Sequence, residues 1–147
     1  MGIRIAINSD VVIHNCWEWE HLPIWWSWKV KNLRIYAPWV RSFDLSRYKN
    51  LKTLYVGWGF WYVNQVKISG LNQLESVSID GRSLQYLTSI RFENLPKLKS
   101  IELGDYALYG SYGTNDGLIM KNLPSLSYLY GSSYNFYNMH NVILESI

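Results

Sequence analysis

NLPKLKSIELGDYAL, residues 94–108, is the stretch that decides the fold. Ile101 and Leu103 flank Glu102, the i, i+2 alternation of a strand with one buried face. Leu98 stands three residues before Ile101, Leu95 six before it, and Leu108 seven after it. Pro96 follows Leu95 and marks a turn before the strand. Five apolar positions at these offsets form a template that can be laid along the rest of the chain.

The template recurs. Strand pairs of the same kind are Ile5/Ile7, Trp28/Val30, Leu54/Val56, Val77/Ile79, Ile101/Leu103 and Leu129/Gly131, whose first members step by 23, 26, 23, 24 and 28 residues. A second set is Trp17/Trp19, Phe43/Leu45, Val66/Ile68, Ile90/Phe92, Leu118/Met120 and Val142/Leu144. From each second pair to the next first pair the step is 11 throughout (17 to 28, 43 to 54, 66 to 77, 90 to 101, 118 to 129). Three residues before the first pair stand Trp25, Leu51, Leu74, Leu98 and Leu126; six before it stand Leu22, Tyr48, Leu71, Leu95 and Leu123. Seven after its start stand Val12, Ile35, Trp61, Leu84, Leu108 and Phe136. In the N-terminal third, Val30, Leu33 and Ile35 offer a competing register, which the constant step of 11 rejects. Middle residues of each pair then point outward: Ala6, Lys29, Tyr55, Ser78, Glu102 and Tyr130 on one sheet, and Glu18, Asp44, Lys67, Arg91, Ile119 and Ile143 on the other.

Periods of 23 to 28 lie in the range of leucine-rich repeats. The L-x-x-L-x-L motif stands at Leu51, Leu54 and Val56 and again at Leu98, Ile101 and Leu103. Residues 94–108, echoed by residues 123–129, resemble the BspA-like leucine-rich repeats of bacterial and protist surface proteins. The resemblance implies a curved solenoid that binds other proteins, often in adhesion. The chain departs from the common form in lacking a buried Asn or Cys ladder and in using Trp in its first two units. The expected fold is a single domain over residues 1–147: a mainly β, right-handed leucine-rich-repeat-type solenoid of about six units with parallel strands. A parallel β-helix is the alternative. One unit cannot bury its own apolar columns, so successive units must stack to form one core.

Composition narrows the function. No apolar run approaches the length of a membrane helix, and the first ten residues lack the apolar stretch of a signal peptide. Single Cys16 allows no internal disulfide, and no N-x-Ser/Thr sequon exists. The expected location is cytoplasmic for a complete chain, and surface or secreted for a piece of a longer one. A net charge of +3, with basic residues spread among acidic ones, offers no stripe for nucleic acid. His14, Cys16 and His21 lack the further ligand a structural zinc needs, and GWG at residues 57–59 has no Lys placed for phosphate. The reading is of a non-enzymatic protein with no cofactor and no metal.

Aromatic residues make up 16% of the chain, enough to populate both core and surface. Those outside the buried columns gather in the variable connection after the first strand: Trp39, Trp58, Phe60, Tyr62, Tyr86, Tyr106, Tyr109, Tyr112, Tyr134 and Tyr137, with Tyr55, Tyr128 and Tyr130 continuing onto the first sheet. Stacked loops align along one edge of a solenoid, and Tyr and Trp dominate interaction hot spots. These residues are the expected contact surface for a partner protein. A glycan is an alternative ligand, because Trp and Tyr stack on sugars. The longest of these loops, residues 104–117, reads as an insertion whose Asn115-Asp116-Gly117 forms a tight turn. A further alternative is self-assembly. Ile3 and Ile5 at one end, and Val142, Leu144 and Ile147 at the other, place apolar side chains where a cap is expected, which predicts head-to-tail stacking.

Overall fold

Leu54, Val77, Ile101 and Leu129 stand opposite one another in neighbouring parallel strands, and Val56, Ile79, Leu103 and Gly131 form the next row. This register keeps each apolar column on one face, since a slip by one residue would turn every column to solvent. A computed structural model describes residues 4–5, 9–113 and 117–147. The elements in chain order are β1 (Arg4–Ile5), β2 (Asp10–Ile13), α1 (Cys16–His21), α2 (Ile24–Ser27), β3 (Asn32–Ile35), β4 (Thr53–Val56), β5 (Gln65–Ser69), β6 (Ser76–Ile79), β7 (Ser89–Glu93), β8 (Ser100–Leu103), β9 (Gly117–Lys121), β10 (Tyr128–Gly131) and β11 (Val142–Glu145). Seven of the strands form one sheet in the order β1-β2-β3-β4-β6-β8-β10, and four form a second in the order β11-β9-β7-β5. Every pairing is parallel except β1 with β2. The chain is therefore a parallel β solenoid of about six turns.

The core lies inside the coils. Leu51, Leu74, Leu98, Leu95, Leu71 and Tyr48 are fully buried, as the expected columns require. A recurrent left-handed residue turns the chain after each strand of the second sheet: Gly70 (φ 66), Asn94 (φ 54), Asn122 (φ 53) and Ser146 (φ 52). Asn tolerates this region better than most residues with a side chain, and the Asn122 side-chain amide donates to Oδ1 of Asn94 at 3.0 Å, tying neighbouring turns together.

The expected register fails in the first two coils. The first-sheet strand there is not Trp28/Val30 but Leu33/Ile35, the register rejected above, and Val11/Ile13 precedes it. First members at 11, 33, 54, 77, 101 and 129 step by 22, 21, 23, 24 and 28. Of the expected first pair, Ile5 lies in antiparallel β1, and Ile7 falls outside the described residues. Trp28 and Trp25 are solvent-facing, 58% and 61% exposed. Lys29 leaves the outward row for a turn, and Arg34 takes its place beside Tyr55, with Val12 on its other side; Ala6 is outside the described residues. Where Trp17/Trp19 suggested a strand, the chain forms α1. The cause is local: Asn15 caps the helix by accepting the Glu18 N–H at 2.9 Å, and Glu18 reaches back to the His14 N–H at 2.6 Å. Phe43 and Leu45 are buried, but only Asp44 between them bridges to Lys67. Phe60, not Trp61, fills the core position before each later turn. It shares a left-handed backbone with Leu84, Leu108 and Phe136. The expected turn at Asn115-Asp116 lies outside the described residues, and Gly117 opens β9.

Candidate functional site

Loops that leave the first sheet stack in the same order as its strands, so their side chains meet along one edge. Close approach makes this possible: a Cβ on Gly104 would stand 2.5 Å from the Gly81 nitrogen, so the two loops touch backbone to backbone. Tyr106 and Tyr134 occupy equivalent left-handed positions, φ 61 and 56, in successive coils. Their rings stack at 4.8 Å and 15°. Three residues on, Tyr109 and Tyr137 stack at 5.3 Å and 15°. Contacts of 5.7 Å between Tyr106 and Tyr109 and 5.6 Å between Tyr134 and Tyr137 close a two-by-two tyrosine ladder. The Arg82 guanidinium lies 5.0 Å from the Tyr106 ring centre, extending the ladder by one coil. Hydrogen bonding with Tyr112 is the first cause, ahead of burial, that pushes the Tyr109 phenol up to about 12. Next to Tyr106, the exposed Asp105 accepts from the hydroxyls of Ser132 and Ser133, which together hold its carboxyl below the usual range.

A second aromatic patch occupies the earlier loops. Trp58 meets Trp61 at 4.6 Å and 88°, Trp39 meets Trp61 at 5.9 Å and 81°, and Trp39 stacks on Tyr62 at 5.9 Å and 28°. Arg41 lies over Tyr62 at 5.2 Å. Trp39 and Trp58 remain 60% and 51% exposed, whereas the tyrosine ladder covers ring faces and presents edges and hydroxyls. Tyr86 is exposed on the loop between the two patches.

Tyr55 sits on the outer face of the first sheet. Arg34 lies over its ring at 4.8 Å, and its hydroxyl donates to Asp80 at 3.0 Å. Burial first, and then that bond, raises the Tyr55 phenol above its ordinary range. Two hollows adjoin here, about 640 Å³ beside Asn32, Arg34 and Thr53 and about 290 Å³ beside Glu102 and Tyr130; both are lined by Tyr55 and Ser78. Tyr128 and Tyr130 stack at 6.4 Å on the same sheet.

The structure thus brings Tyr106, Tyr109, Tyr134 and Tyr137 together and places Tyr112 beside them. It gathers Trp58 and Tyr62 into a separate patch and leaves Tyr55, Tyr128 and Tyr130 on the sheet face. Phe60 is a correction: it is wholly buried, packed edge-on against Phe43 at 5.5 Å, and offers no surface. Arg34, Arg41 and Arg82, each over a tyrosine, were missed in the sequence. The signal for Arg34 was its position opposite Tyr55, legible only once the register of β3 is right. The expected assembly residues are unlike at the two ends. Val142, Leu144 and Ile147 are 56%, 53% and 55% exposed, while Ile5 lies in the antiparallel β1 and Ile3 is outside the described residues. Near Cys16, His14 approaches Glu18 at 3.4 Å, and His21 bonds the Trp17 carbonyl at 2.8 Å and stacks on its ring at 4.3 Å. Burial, and then Glu20, push the Cys16 thiol up.

The chain matches no family model, no curated protein and no solved structure. Among the described residues, no helix is long and apolar enough to cross a membrane.

Proposed function

We propose that the chain is a recognition module that binds a partner protein non-covalently through its aromatic edge, with the hollows beside Tyr55 as a second contact. The tyrosine ladder carries this reading. Its four rings are already fixed by one another, so binding through their edges and hydroxyls costs little further side-chain entropy. Tyrosine supplies large rigid contact area of the kind seen at the centre of protein interfaces. The test is selection from a display library of genomic fragments of the source organism. Fragments sharing one motif should bind about tenfold or more weakly to Tyr106→Ala and Tyr137→Ala, and equally well to Lys97→Ala on an exposed turn elsewhere. Selected fragments with no common motif, or indifferent to the ladder variants, would sink the proposal.

A second reading, stacking on another solenoid coil, is favoured by one observation: β10 and β11 are exposed along their whole length. Such open strand edges are templates for pairing. Under this reading, light scattering of the 147-residue chain shows concentration-dependent growth that Leu144→Lys abolishes. A monomer at every concentration removes it.

A further inference from the structure

Where α1 replaces the second-sheet strand of its coil, the chain leaves a hollow of about 440 Å³ lined by Trp19, Glu20, Trp39, Arg41, Asp44 and Arg47. Its volume falls in the small-molecule range of roughly 300–1,000 Å³. One wall is rigid, because the buried Trp19 stacks on Phe43 at 5.5 Å and donates through Nε1 to the Ser42 carbonyl at 3.1 Å. Another is an open platform: Trp39 is 60% exposed, yet contacts Trp61 at a steep angle and stacks on Tyr62.

The polar groups around this platform are oriented but not used up. Arg41 lies over Tyr62 at 5.2 Å and Arg47 over Tyr48 at 5.4 Å, so each guanidinium is held against a ring. Arg47 donates to the Tyr48 hydroxyl at 3.5 Å, leaving its other N–H groups available. Asp44 accepts the Ser46 N–H at 2.9 Å; that bond, and then one from the Ser46 side chain, hold its carboxyl below the usual range. Two carboxylates and two guanidinium groups balance in charge. Such a set has no net charge with which to favour an anion over a cation. A ligand with one apolar face and a rim of hydroxyls gains both a ring to stack on and planar groups to exchange hydrogen bonds with.

We infer that this hollow is a binding site for a neutral pyranose sugar, stacked on Trp39 with its hydroxyls shared between the Glu20 and Asp44 carboxylates and the Arg41 and Arg47 guanidinium groups. The inference is independent of the tyrosine ladder and of any protein partner bound there.

Saturation-transfer-difference NMR with the methyl glycosides of glucose, galactose, mannose and N-acetylglucosamine tests it, with an amino-acid mixture and inorganic phosphate as rival probes. At least one glycoside should show transfer at its ring C–H protons. Trp39→Ala should weaken it about tenfold or more, Asp44→Asn should weaken it as well, and Trp39→Phe should retain part of the binding. Lys97→Ala should leave it unchanged, and melting curves should show each variant folded. Transfer to no neutral glycoside, binding that survives Trp39→Ala, or capture of the amino acids or phosphate in place of the glycosides would overturn the assignment.

Discussion

The first two coils and the coils from β4 onward fill the same core by different means. In the later coils aliphatic residues occupy most columns, with Phe60, Phe92 and Met120 among them, and a strand, a turn and a second strand repeat with little change. In the first coil a six-residue helix stands where that second strand should be. Trp19 then fills the core from the helix, stacked against Phe43 at 5.5 Å and Tyr48 at 5.8 Å. The comparison teaches that a solenoid core constrains which side chains arrive inside, and much less the backbone that brings them. It also explains why the Trp39 hollow lies at the junction: a helix and a strand end do not fit as closely as two strands do.

The largest expected effect separates the two regions at a shared sequence column. Leu98 and Trp25 both stand three residues before an expected strand pair, yet Leu98 is wholly buried and Trp25 is 61% exposed. Leu98→Ala should cost about 2–5 kcal/mol, as truncation of a buried Leu does. Trp25→Ala should stay within about 0.5 kcal/mol of wild type, as for an ordinary surface change. Urea unfolding midpoints decide the matter. A large loss for Trp25→Ala would mean that Trp25 packs into the core after all and that the two regions obey one register.

From Leu51 onward the strand register was legible, because apolar residues recur at the buried strand positions and Pro96 and Pro124 punctuate the turns, although Phe60 rather than Trp61 enters the core and Ile119, expected to face outward, is buried. The N-terminal third was opaque for a physical reason. Trp17 and Trp19 at i, i+2 fit the single buried face of a strand as well as two sides of a helix, where Trp17 is exposed and Trp19 buried. The deciding signal was polar rather than apolar: Asn15 with Glu18 three residues on has the spacing of a capping box, with Glu18 reaching the His14 N–H, and Pro23 immediately precedes α2. The step of 11 persisted by coincidence from 17 to 28. The aromatic edge was legible as composition and loop position. Which rings stack, and which arginines cover them, was not, since those contacts lie between coils and depend on a register error of even one residue.

Two changes of intermediate size probe the backbone devices that distinguish the regions. Asn94→Val places a β-branched residue at φ 54, where steric conflict costs about 1–2 kcal/mol, whereas Asn94→Gly, matching Gly70, should change little beyond the loss of the Asn122 bond. In the first coil, Asn15→Ala removes the cap of α1 and should cost about 0.5–2 kcal/mol. Thermal melts of the three variants rank them. If Asn15→Ala is silent while Asn94→Val is severe, the helix of the first coil is an ornament on a solenoid held by its later turns. If the reverse holds, the helix is the element that closes the core.

The smallest effect concerns the ladder, the part of the edge that the Trp patch does not reproduce. Tyr109 is expected to ionise at about 12, chiefly because of its bond with Tyr112. A phenol whose folded value is raised stays protonated after the unfolded chain has begun to lose its proton. The resulting stability is complete below the ordinary value of 10.0 and is lost as pH rises toward about 12. Tyr112→Phe removes the first cause of the shift, so ultraviolet titration of tyrosinate should show one group moving down toward the ordinary range. Tyr62→Phe in the other patch should leave that group in place. Because Tyr109 lies at the surface, the change appears in the titration curve well before it appears in a melting temperature. A curve that Tyr112→Phe leaves untouched would mean that the two hydroxyls do not meet in solution. The ladder would then present free phenols to a partner, and the difference between the patches would reduce to ring geometry alone.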